Sequence, residues 1–181
     1  QASEVLYLVG TTKGPTVTDE EHDFVFRLNS TPEMDAEFLY PYADKVLDPQ
    51  VVATIQEQSD YGLALNETTK SYFGDRMKGT VVTQLTTTNF SPFISKIADL
   101  DPDVVFMANG GSTSAMAASL DQMAEAGLDV PKIFPPGSVN QTLLELAGAR
   151  AVEGAIYADI YAPSLEHETN PEFVKEYVEE Y

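Results

Sequence analysis

The feature that most constrains this chain is the regular alternation of short apolar runs with amphipathic stretches. Val51–Gln56, Thr80–Thr86, Val104–Ala108, Lys132–Phe134 and Gly154–Ile160 read as strands. Between them, Gly62–Phe73, Ser91–Leu100, Ser112–Ala126 and Asn140–Ala147 carry helical spacing of apolar residues. Four successive strand-helix-strand units predict an α/β fold, a doubly wound, Rossmann-like, mostly parallel sheet with helices on both faces. Strands such as Val104-Val105-Phe106-Met107 are apolar without alternation, which suits a sheet covered on both sides.

Punctuation agrees with this reading. Pro92 falls in a first helical turn, where its missing N–H has no intrahelical partner to lose. Gly127 is placed to end one helix and Asn140 to cap the start of another. Upstream, Val5–Gly10 and Phe24–Leu28 read as two further strands, and Pro32 opens a helix to about Lys45. At the far end, Phe173, Val174, Tyr177, Val178 and Tyr181 mark a helix face over 171–181 that stops without a cap. The chain has no initiator Met and no signal-type apolar stretch, so it reads as an excerpt whose export signal was removed or lies elsewhere.

Charge narrows the function. Twenty-nine acidic against ten basic side chains leave a formal charge of −19 over 181 residues, which repels phosphate backbones and argues against a nucleic-acid partner. The acids are dispersed, and 43% of residues are hydrophobic, so the balance reads as a solvated acidic surface tuned to high salt and not as disorder. No apolar run approaches the roughly 20 residues that cross a bilayer. With no cysteine, disulfides, zinc thiolates and thiol nucleophiles are excluded.

Catalytic and metal motifs are likewise missing. There is no Gly-x-Ser-x-Gly elbow, no Walker A sequence and no Gly-x-Gly-x-x-Gly. His22 and His167 sit in acidic loops without a second ligand at helical spacing and read as solvated. Asp99, Asp101 and Asp103 flank Pro102 in a turn, and the Gly and bidentate Glu of a calcium loop do not follow. The expectation is no metal, no cofactor and no enzymatic activity.

What remains is a set of polar, glycine-containing turns that follow strands. They are Gly10-Thr11-Thr12-Lys13-Gly14, Ser59-Asp60-Tyr61-Gly62, Asn109-Gly110-Gly111-Ser112-Thr113-Ser114 and Pro135-Pro136-Gly137-Ser138-Val139-Asn140. Singly, each reads as a turn with a capping residue, Asp60 or Ser112 for instance. Parallel topology puts the last three on one rim of one sheet, where such folds bind ligands.

These residues carry a resemblance. Phe24-Val25-Phe26-Arg27-Leu28, the strand ending in Asp60-Tyr61-Gly62, Asn89-Phe90-Ser91-Pro92-Phe93-Ile94-Ser95-Lys96-Ile97 and Pro102-Asp103-Val104-Val105-Phe106 follow one another in a familiar order. The chain resembles the periplasmic-binding-protein type 1 fold and, within it, the branched-chain amino acid (Leu/Ile/Val) binding family of ABC transporters. The resemblance implies two α/β lobes, a ligand cleft between them that closes about a hinge, and delivery of a small solute to a membrane permease. It implies an extracellular or periplasmic location, membrane-anchored in a full-length protein about twice as long. On that plan, residues 1–46 are part of lobe 1, 47–50 the hinge crossing, 51–161 lobe 2, 162–170 the return hinge, and 171–181 a lobe 1 helix.

The resemblance also implies a partial ligand site. Tyr61 falls on a cleft tyrosine, and Thr11, Thr12 and Lys13 on a loop that holds the ligand carboxylate. Gly111 and Ser112 lie in a second loop, with Ser112 at a position often aromatic. Gly137 stands where amino acid binders place an acid for the ammonium group, which points away from α-amino acids, because an unpaired buried ammonium is costly. Asn109 or Ser138 would then offer neutral hydrogen bonds to a carboxylate, amide or polyol. Two other classes stay open: a ligand-sensing domain of a receptor or regulator with the same fold, and a small enzyme acting through carboxylates.

Overall fold

The computed structural model describes residues 5–18 and 23–181. Two parallel sheets are present among the described residues. The smaller pairs β1 (Tyr7–Val9) with β2 (Val25–Arg27). The larger has five strands, β3 (Val52–Glu57), β4 (Met77–Thr83), β5 (Val104–Ala108), β6 (Lys132–Phe134) and β7 (Ile156–Tyr157), in the order β4-β3-β5-β6-β7. Every pairing among the described strands is parallel.

The larger sheet is covered on both faces, as its apolar strands require. Along β5, Val105 and Met107 join one core, whereas Val104, Phe106 and Ala108 join the other. Helices α1 (Pro32–Leu47) and α2 (Asp60–Phe73) cover the second face through Leu39, Tyr40, Leu65 and Phe73. Helices α3 (Ser91–Ala98), α4 (Thr113–Glu125) and α5 (Gln141–Ala147) cover the first through Ile94, Ile97, Leu120, Met123 and Leu143. The doubly wound fold expected from the alternation is therefore the fold observed.

The position of α1 moves the expected boundary. Its apolar stripe, Ala36, Leu39, Tyr40 and Ala43, is buried against Val52, Phe106 and Ile133 of the larger sheet. The Tyr40 ring meets Phe106 edge-on at 5.4 Å, and its hydroxyl bonds Thr69 Oγ1 at 2.9 Å. The chain thus passes from the small sheet to the large one at 28–31, before α1. Residues 47–50, expected as the crossing, form a short link inside the larger unit, closed by Asp48 in a left-handed conformation (φ 43°).

Two strands also differ from their expected spans. β7 is limited to Ile156 and Tyr157 because β6 offers partners only at Ile133 and Phe134. Beyond them Pro135 and Pro136 have no N–H for a ladder. β4 ends at Thr83, where the Gln84 N–H donates to Thr87 Oγ1 at 2.9 Å and turns the chain. The last helix, α6 (Asn170–Glu180), is fastened at its start, where Asn170 bonds Tyr161, Pro163 and Leu165. No helix among the described residues is long and apolar enough to cross a membrane.

Candidate functional site

The site lies where the strand order reverses. β3 leads to β4 on one side, and the chain then returns to place β5 on the other, leaving a crevice between the carboxyl ends of β3 and β5. β3 ends in Glu57, which is 4% exposed. Its Oε2 accepts the Gly111 N–H at 2.8 Å from the loop after β5, and its Oε1 accepts the Ser59 hydroxyl at 2.7 Å. Ser59 also caps α2, accepting the Gly62 N–H at 3.0 Å. The cap expected at Asp60 is thus Ser59, whose extended backbone aims its oxygen down the first turn.

Glycine makes this packing possible. A Cβ on Gly62 would lie 2.3 Å from the Glu57 carbonyl oxygen, and one on Gly111 would lie 2.6 Å from Glu57 Oε1 and 2.7 Å from Oε2. Both backbones approach the acid more closely than any other residue allows.

The loop after β1 forms the facing wall. Lys13 Nζ reaches Asp35 Oδ2 at 2.7 Å and Ser30 Oγ at 2.9 Å, with both charged side chains under 10% exposed. Asn29 Nδ2 holds the Thr11 carbonyl at 2.9 Å, and the Thr16 hydroxyl donates to Asp60 Oδ2 at 3.2 Å. Between the walls lies a cleft of about 850 Å³. Its rim includes Leu85 and Ile160, both well exposed.

Seven of the nine expected residues line this cleft. Thr11, Thr12 and Lys13 come from the small-sheet side, and Tyr61, Gly111, Gly137 and Ser138 from the larger unit. Tyr61 is partly buried against the α1–α2 core. Burial pushes its phenol well above the usual tyrosine range, and the nearby Asp35 and Glu57 carboxylates add to the rise. Gly137 takes φ 78°, a conformation that glycine adopts without strain.

Asn109 and Ser112 fall outside the lining. Asn109 is 3% exposed, and its amide reaches Ser119 Oγ on α4 at 3.4 Å. Ser112 caps α4, accepting the Ala115 N–H at 3.3 Å. Lys13 lines the cleft, but its charge is already matched by Asp35.

Glu57 is not among the expected site residues, because the polar run Glu57-Gln58-Ser59-Asp60 reads as the loop that follows the strand Val51–Gln56. The available signal was a carboxylate one step beyond a buried strand and two before a helix cap. His22 lies outside the described residues, and His167 is exposed with Nδ1 3.0 Å from Thr169 Oγ1. Asp103 accepts the Gln50 and Val51 N–H groups, both at 2.8 Å, and so pins the start of β3.

Comparison with known proteins places this architecture. A family profile described as "Periplasmic binding protein" matches residues 1–181. The chain belongs to the periplasmic binding protein family. Among solved structures, the leucine binding protein LivK of Thermotoga maritima is 21% identical to this periplasmic binding protein. It superposes with a TM-score of 0.83, over 98% of this chain and 51% of LivK. A leucine-, isoleucine-, valine-, threonine- and alanine-binding protein of Brucella ovis in a closed conformation is 20% identical, with a TM-score of 0.79, over 97% of this chain and 45% of its own. A solute binding protein of an ABC transporter from Rhodopseudomonas palustris, in complex with 3,4-dihydroxybenzoic acid, is 24% identical, with a TM-score of 0.64 over 87% and 44%. The chain spans about half the length of these structures. No curated protein sequence matches it.

Proposed function

We propose that this periplasmic binding protein is part of the solute-binding component of an ABC importer. It captures a small polar solute, an amino acid, carboxylate or amide, by hinge closure and delivers it to a membrane permease without bond chemistry. The observation that carries this reading is the cleft at the carboxyl ends of β3 and β5, walled by both sheets and lined by polar turns. Hydroxyls and N–H groups of Thr11 and Thr12 serve a carboxylate, Tyr61 covers the solute's apolar part, and Ser138 adds a neutral hydrogen bond. Gly111 and Gly137 leave room for the solute in the lining. Lys13 acts indirectly, holding its loop against Asp35. The location is periplasmic or extracellular, with a membrane anchor in the full-length protein. Residues 5–18 and 23–31 contribute the edge of one lobe, 32–157 the other, and the segment from Ala158 to Thr169 the return.

A thermal-shift screen of the full chain against amino acids, short carboxylates, amides and sugars tests this. Stabilisation by one class is expected, growing with ligand concentration as mass action requires. A flat response across all four classes would overturn solute capture.

A further inference from the structure

Glu57 is the feature that the general reading leaves unexplained. It is 4% exposed, yet it lines the cleft. The ion pairs among the described residues join other side chains, so the carboxylate has no cation within reach in this set. Among the described residues its two hydrogen-bond donors, the Gly111 N–H and the Ser59 hydroxyl, are both neutral and take one oxygen each. Each oxygen keeps further acceptor capacity. A buried charge in this state is costly unless something neutralises it.

The cleft around it does not supply the neutralising charge. Lys13 is the cation of the described lining, and Asp35 already holds it at 2.7 Å. Asp60 adds a second acid to the same lining. Gly62 and Gly111 keep the carboxylate in place by excluding any side chain that would displace it.

We propose that Glu57 is the receptor for a protonated amine on the solute, so that the cleft selects amine-bearing solutes although Gly137 carries no acid. The inference rests on solute capture by this cleft and specifies its chemistry. The amine meets Glu57 at the end of β3. A carboxylate on the same solute faces the Thr11–Thr12 loop, and the apolar body lies against Tyr61 and toward the rim residues Leu85 and Ile160. Selection for an amine therefore comes from the β3 carboxyl end, not from the turn after β6.

The test is titration calorimetry of the full chain with L-amino acids, each paired with the carboxylate that lacks its amine, such as L-leucine with 4-methylpentanoate. The amino acid is expected to bind about 10- to 100-fold more tightly, the worth of one or two charge-assisted hydrogen bonds. Glu57→Gln should bring that ratio close to one while circular dichroism stays unchanged. Gly111→Ala, which pushes a methyl group into the carboxylate, should also lower the ratio and serves where Glu57→Gln does not fold. Tight binding of the carboxylates alone, or a ratio unchanged in a folded Glu57→Gln protein, overturns the amine receptor and leaves solute capture standing. Absence of binding by every amino acid, carboxylate, amide and sugar overturns both.

Discussion

Lys13 and Asp35 come from opposite sides of the passage between the two sheets, one from the β1 loop and one from the first turn of α1. Both are nearly buried, so removing one leaves the other as an uncompensated charge. Lys13→Met is expected to lower stability by about 3 kcal/mol, and adding Asp35→Leu should recover most of that loss. Urea denaturation of the single and double variants measures both steps, and equal midpoints for wild type and Lys13→Met would refute the role. At this scale the sequence was legible in part. The turn Thr11-Thr12-Lys13 was recognisable as site-forming, but no pattern of spacing shows that a lysine's charge is already matched by a residue 22 positions away. Glu57 was hidden for a related reason: its environment is made by Gly111, 54 residues further on.

Helix α1 contains a proline at its centre. Pro41 lacks the N–H that would meet the Glu37 carbonyl, and the helix persists because Leu39, Tyr40 and Ala43 are buried on the other side. Tertiary burial outweighs the local penalty here. Pro41 itself is exposed, so Pro41→Ala is expected to raise stability by about 2 kcal/mol, seen as a higher urea midpoint. A lowered midpoint would mean that the ring makes contacts worth more than the missing bond. Element types along the chain were readable from apolar periodicity and caps, from β3 through α6. Strand ends were not, because they depend on partners: β4 extends back to Met77 because Val52 and Ala53 of β3 pair with Met77 and Gly79. Which sheet α1 belongs to was hidden too, since its apolar stripe is equally suited to either.

At the scale of the molecule, a formal charge of −19 sits on a structure whose described ion pairs are few. Self-repulsion of this size weakens the compact state at low ionic strength and is screened within about 10 Å at 0.1 M salt. The melting temperature is therefore expected to rise from low to molar KCl. An unchanged value would show that the acids are spaced widely enough not to interact.

The place where the chain changes sheets also bears on how such genes can be recombined. A chimera joined at 47–50 would inherit α1 from one parent and the strands beneath it from the other, so Tyr40 and Phe106 would meet as strangers. A joint at 28–31 keeps the helix with the surface it covers, and it exchanges the Thr11–Lys13 loop as one cassette against an intact Glu57 wall.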